Sequence, residues 1–114
     1  MLDTSPLTAV VERFADRLRA APQSRLQQGA AAVALELARE LSVRAQRLEA
    51  PEQAPREVPD AGIFVVGDQV AVAGLDLAEA LRAAPAAPDG ATAPSVVLDE
   101  AVGLVEQAEI RAMR

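Results

Sequence analysis

Apolar residues recur with a helical period at both ends of this chain and alternate, as in a strand, in its middle. Leu7, Val10, Val11, Phe14, Leu18 and Ala21 fall on one side of a 3.6-residue repeat, with Glu12, Asp16 and Arg19 opposite. This spacing predicts an amphipathic helix over roughly residues 6–21. Ser5 suits its N-cap and Pro6 its first turn, where the missing N–H is not needed, and Pro22 ends it. Ser24 and Gln27 have capping-box spacing, so a second helix is expected from 24 to about 49, stopped by Ala50-Pro51. Its apolar arc holds Leu26, Ala30, Val33, Ala34, Leu37, Ala38, Leu41, Ala45 and Leu48, with Leu35 at the margin. Such an arc is wider than a single neighbour needs. At 1.5 Å per residue the helix would be about 38 Å long, beyond the ~30 Å width of a compact domain of this size. Part of it is therefore expected to project or to pack on another chain.

Pro51, Pro55 and Pro59 make residues 50–61 an extended connector. Ile63-Phe64-Val65-Val66 and Gln69-Val70-Ala71-Val72 flank Gly67-Asp68, which predicts a β-hairpin over 62–73 with a type II′ turn. In that register Ile63, Val65, Val70 and Val72 would lie on the helices, and Phe64 and Val66 would be left on an outer face. Asp76 and Glu79 open a short helix over 76–84, residues 85–94 read as a flexible loop, and a C-terminal helix runs over 95–112. Residues 95–98 also suit a strand. The resulting expectation is an α+β fold in one domain, 1–114. It is mainly helical, with a long antiparallel helix pair over 6–49, a two-stranded β-hairpin and C-terminal helices.

Composition narrows what such a fold does. Of the 114 residues 51% are apolar, mostly Ala, Val and Leu, and Phe14 and Phe64 are the only aromatics. Small side chains each bury little area, so a short chain of this kind is a candidate for stabilisation by association with a second copy. His, Cys, Lys, Trp, Tyr and Asn are all missing. There is consequently no disulfide or thiolate, no imidazole ligand or proton shuttle, and no Schiff-base or P-loop lysine. The Arg-only cations and abundant Ala fit a GC-rich bacterial genome. Gly62, Gly67 and Gly74 match no phosphate-binding loop.

The net charge of −6 is the wrong sign for a phosphate backbone, although Arg13, Arg17, Arg19 and Arg25 cluster near the first helix junction. Nucleic acid is therefore not an expected partner. No apolar run approaches the roughly 20 residues that span a bilayer, and the first residues lack the pattern of a secretory leader. A cytoplasmic location without membrane attachment is expected. Carboxylates are the remaining acid–base groups. Glu36 and Glu40 are one turn apart, as are Glu12 and Asp16, and Asp99 adjoins Glu100, but such pairs on polar helix faces read as solvated surface. No catalytic residue, metal ligand or cofactor is assigned. Two charges break apolar stripes, Arg44 in the second helix and Glu109 in the last, and they are candidates for a buried ion pair that fixes register. The expected function is a non-catalytic protein-interaction or regulatory module acting as a homodimer and on a further, unidentified protein. Its candidate interface is Leu35, Leu41, Leu48, Phe64 and Val66. The alternative is a small-molecule-binding domain with an apolar pocket between hairpin and helices.

Overall fold

The apolar period turns out to be helical in the middle of the chain as well. The structure, a computed structural model, describes residues 2–85 and 93–114, and within them every regular element is a helix. Helix α1 spans Ser5–Ala20, α2 is the single turn Gln23–Arg25, α3 spans Ala31–Glu49, α4 spans Val66–Ala83 and α5 spans Pro94–Ala112. A widened π-type turn, Leu26–Ala30, joins α2 to α3. Gly29 inside it has φ +132°, a value that residues with a Cβ rarely adopt. The expected continuous helix over 24–49 is therefore bent near its start.

The expected α+β fold is overturned, since no β-hairpin exists over 62–73. Residues 66–73 are instead the first half of α4, and the short helix expected over 76–84 is its second half. Val66, Val70, Ala73, Leu77 and Leu81 are buried at three- and four-residue steps. This helical period is sustained over four turns and outweighs the brief alternation at 63–66, because burial of a continuous face overrides local β-propensity. The glycines read as turn and strand end are contact points. A Cβ at Gly67 would stand 3.0 Å from Arg19 Cγ and 3.1 Å from the Ala15 carbonyl oxygen. One at Gly74 would stand 2.5 Å from Val11 Cγ1, so α1 and α4 cross closely through these positions.

The long antiparallel pair expected over 6–49 is also absent. Helices α4 and α5 each pack on both α1 and α3, which places α1 and α3 at opposite corners of a four-helix arrangement. Arg19 meets Asp68 and Thr4 meets Arg82, so α1 and α4 are antiparallel. Arg44 meets Glu100 while Val33 and Leu37 lie near Ala108 and Arg111, so α3 and α5 are antiparallel too. Val66 lies near Leu26 and Ala31, and Asp76 and Glu79 lie near Ala45 and Glu49, which makes α3 and α4 parallel neighbours. Nearly half of the buried apolar residues are alanine, and the largest wholly buried side chain is Phe14. The molecule measures 47 × 27 × 18 Å, long enough to contain the ~28 Å of α3 without a projecting end.

Parallel consecutive helices need a return path, and residues 50–65 supply it as a strap along α3. Three side chains pin the strap's backbone. The Gln46 carboxamide takes both groups of Arg56, donating from Nε2 to its carbonyl at 2.8 Å and accepting from its N–H at 2.8 Å. Arg39 Nε donates to the Val58 carbonyl at 2.8 Å, and Gln69 Nε2 donates to the Pro59 carbonyl at 2.8 Å. Residues 95–98, for which a strand start was the alternative, are helical in α5, as the expected helix over 95–112 has them. The loop expected over 85–94 falls mostly on residues 86–92, which lie outside the described residues.

Candidate functional site

The end of the strap, residues 60–66, stands off from α3 and leaves a groove of about 730 Å³ between them. Leu26, Ala31, Leu35, Val43, Ile63 and Val66 supply its apolar lining. The bend at Gly29 contributes to its upper end, so that Leu26, before the bend, and Leu35, after it, border the same space. Along α3 it runs from Ala31 to Val43, about 18 Å by the helical rise. Glu36, Glu40 and Asp60 stand on the rim with one cation, Arg39. That cation is engaged, with Nε 3.0 Å from Glu57 Oε1 in addition to its bond to the Val58 carbonyl. Asp60 accepts from the Gly62 N–H at 3.0 Å, which shapes the turn at the groove's edge. Gly62 takes φ +100° there.

Phe64 follows Ile63 out of the groove and is 72% exposed. On its other side a second trough, about 410 Å³, is lined by Val58, Ala61, Val65, Val72 and Ala73 and edged by Asp68 and Asp76. The sole exposed aromatic among the described residues thus lies in sequence between Ile63, which lines one depression, and Val65, which lines the other. Of the candidate interface residues, Leu35 and Val66 line the groove, and Phe64 is exposed without lining it. Leu41 is wholly buried in the core, and Val66 is also 4% exposed, so neither offers a free side chain. Leu48 is half-buried near the far end of α3, outside the groove. Gly29, Ile63 and Asp60 were not legible as site residues. The signal that marks them is the single glycine within an otherwise unbroken helical pattern, since a glycine of this kind is where a bend forms.

The charges in the apolar stripes do find partners, but not each other. Arg44 Nε bonds Glu40 at 3.1 Å and its Nη1 bonds Glu100 at 2.9 Å. Glu109 is 5% exposed and reaches α1, where Arg13 donates from Nη2 at 2.8 Å and from Nε at 3.0 Å, and Arg17 Nη1 stands 3.2 Å away. Within one chain the Arg44–Glu109 pair is accordingly not formed. Burial pushes the Glu109 carboxyl up, but the hydrogen bonds and charges of Arg13 and Arg17 pull harder, and it is held below the usual glutamate range. The same contact raises Arg13. The basic cluster is thus taken up inside the protein. Arg19 binds Asp68 at 2.7 Å and Asp16 at 3.1 Å, and Arg25 donates to the carbonyl of Arg114 at 2.7 Å. Arg19 too is raised, chiefly by its bond to Asp68.

Among the described residues no three His, Cys, Asp or Glu side chains gather as metal ligands, and no helix is long and apolar enough to cross a membrane. Comparison of the chain with protein-family models, with curated proteins and with solved structures finds no match.

Proposed function

We propose that this chain is a non-catalytic protein-interaction module that binds another polypeptide at the groove between α3 and residues 60–66. An open apolar groove, with a 72% exposed phenylalanine next in sequence to its lining residue Ile63, carries this reading. Leaving an aromatic side chain in water forgoes burial energy of about 1.5–3 kcal/mol, and apolar surface kept exposed in this way marks contact sites. Self-association, expected from the sequence, loses two of its grounds, because the long helix is bent and fits within the molecule and there is no two-faced hairpin. The acidic rim also sets like charge against like when two copies meet at this face. A different polypeptide is the favoured occupant, and the cytoplasm is the setting we assign to it.

Site-specific photo-crosslinking in the native host tests this. A photoreactive phenylalanine analogue at position 64 should give adducts of defined mass, and the same analogue at Arg47, exposed on the far end of α3, should not. An adduct of twice the chain mass would report a second copy instead. Equal labelling at both positions would end the reading.

The second reading is a small-molecule site in the same groove. Its 730 Å³ lies within the roughly 300–1,000 Å³ usual for ligand pockets. A metabolite whose concentration raises Tm in the wild type and not in Leu35→Asp would favour it.

A further inference from the structure

From the charges around this groove we infer the chemical class of the partner: a basic amphipathic helix of another protein, laid along α3 with its apolar stripe in the groove. The inference rests on the interaction reading above and adds the partner's form and charge.

Shape argues for a linear occupant. The groove follows α3 from Ala31 to Val43, about 18 Å or the length of a helix of about 12 residues, and it is walled on one side by that helix and on the other by the turn at the strap's end. The accessible apolar positions along it are Leu35, Val43 and, from the strap, Ile63. A helix presents an apolar stripe at i, i+3, i+4 and i+7, which suits such a line of contacts.

Charge argues for a basic one. Glu36, Glu40 and Asp60 line the groove, Glu40 sharing its charge with Arg44, and the cation among them, Arg39, is already tied to Glu57 and to the Val58 carbonyl. The next trough is edged by Asp76 and by Asp68, which Arg19 holds, and beyond that lie Glu49 and Glu79 with Arg56. A partner helix seated in the groove would therefore place both of its polar flanks against carboxylates. The chain's net charge of −6 draws such a helix in from a distance and repels an acidic one. Arginine or lysine at the flanks also lays its aliphatic stem over apolar surface such as Phe64 while its charge meets the rim.

The test uses the full chain and three labelled synthetic peptides of about 12 residues. One has a leucine stripe with arginine flanks, one the same stripe with glutamate flanks, and one the arginines with the leucines scattered. Fluorescence anisotropy should show the first binding at least tenfold more tightly than either other, with affinity falling as salt rises. Glu36→Arg should weaken it about tenfold, while Glu12→Arg, on the outer side of α1, should leave it within twofold. Amide shifts in the unmodified chain on adding the first peptide should centre on Leu26, Leu35, Ile63 and Val66, a readout that needs no substitution. Equal binding of the two leucine-striped peptides overturns the basic-partner inference and leaves the interaction reading standing. Equal binding of the scattered peptide, or equal loss in Glu12→Arg, reduces the effect to net charge and overturns the inference. Absence of binding by all three, with a cross-link at position 64 still formed, does the same. Absence of both peptide binding and cross-link removes the interaction reading as well.

Discussion

Replacing Gly74 by alanine probes the closest approach in the bundle, and Gly103 provides its control. Both glycines lie inside long helices, α4 and α5, where alanine is favoured over glycine by about 0.8–1.0 kcal/mol. Their surroundings differ. A Cβ at Gly103 meets nothing within 4 Å. A Cβ at Gly74 would lie 2.5 and 2.6 Å from the two γ carbons of Val11, well inside the ~3.5–4.0 Å of an ordinary carbon contact. Val11 is buried and β-branched, so it has no free rotamer to turn into, and α1 itself must shift. Overpacking of this kind costs about 1–3 kcal/mol. Taking the middle of that range against the propensity gain, Gly74→Ala should lose about 1 kcal/mol. Gly103→Ala should gain up to about 1 kcal/mol. For a chain of this size 1 kcal/mol moves Tm by about 4 °C, so the two variants should melt about 8 °C apart on opposite sides of the wild type. Urea denaturation at neutral pH gives the same difference as a free energy. Adding Val11→Ala to Gly74→Ala should recover part of the loss, with a coupling of at least ~0.5 kcal/mol. If Gly74→Ala stabilises as much as Gly103→Ala, α1 and α4 do not cross where described, and the assignment of 66–83 as one packed helix falls with that contact.

Three further outcomes follow from particular side chains. Because the Glu109 carboxyl is held below its ordinary 4.5, its contribution to stability is complete above that pH and is lost as the pH falls through the folded-state value. Glu109→Gln should therefore cost about 1–2 kcal/mol at pH 7, discounted because both arginines are half exposed, and its urea midpoint should converge on the wild type's as the pH falls below the ordinary 4.5 and through the lowered folded-state value; parallel curves would show that the pairing adds nothing. Leu41→Ala should lose about 2–5 kcal/mol by opening a core cavity, whereas Phe64→Ser should stay within about 0.5 kcal/mol of the wild type, so that urea melts separate the core residue from the surface one. Gln46→Ala frees the Arg56 backbone, and trypsin should cut after Arg56 roughly tenfold faster if the two lost bonds were worth about 1.4 kcal/mol of local stability; an unchanged rate would mean that the strap is held elsewhere.

The helical ends of the chain were legible because their apolar residues keep one period over four or more turns and prolines bound them. Helix α1 was expected over 6–21 and spans Ser5–Ala20, and α5 was expected over 95–112 and spans Pro94–Ala112. Residues 62–73 misled because β-branched residues and a Gly-Asp pair are also the local signature of a hairpin. The helical step of Val66, Val70, Ala73, Leu77 and Leu81 was present beneath it, but the face it packs on, Val11 of α1 against Gly74, is a contact distant in sequence. The same holds for Glu109. Its break in the stripe was visible, and so were Arg13 and Arg17 one turn apart, but joining them requires knowing that α5 turns Glu109 toward α1 while it meets Arg44 of α3 through Glu100. The groove was only partly legible. Leu35 and Phe64 stood out as apolar residues without an obvious place, and Glu36 and Glu40 as a carboxylate pair, yet their common edge depends on the bend at Gly29 and on where the strap ends.

The groove and the exposed Phe64 have one origin in the connectivity. Consecutive helices that pack in parallel must be joined by a segment that travels back the full length of the first. Residues 50–65 do so with ease, since at ~3.1 Å per residue an extended chain of that length reaches about 50 Å against the ~28 Å of α3. The strap runs outside the bundle because α4, in contact with both α1 and α3, closes the inside to it. Its return ends beside the bend at Gly29, where a turn and the first residue of α4, Val66, face Leu26 and Leu35. Residues 62–65 close that turn, the Val65 N–H donating to the Gly62 carbonyl at 3.4 Å, and within it Ile63 lines the groove while Phe64, next to it, is 72% exposed. An apolar residue at 64 has no interior to enter in this topology. The fold itself is held without it, by the core from Leu7 to Ala112, which leaves position 64 free to serve contact with another molecule.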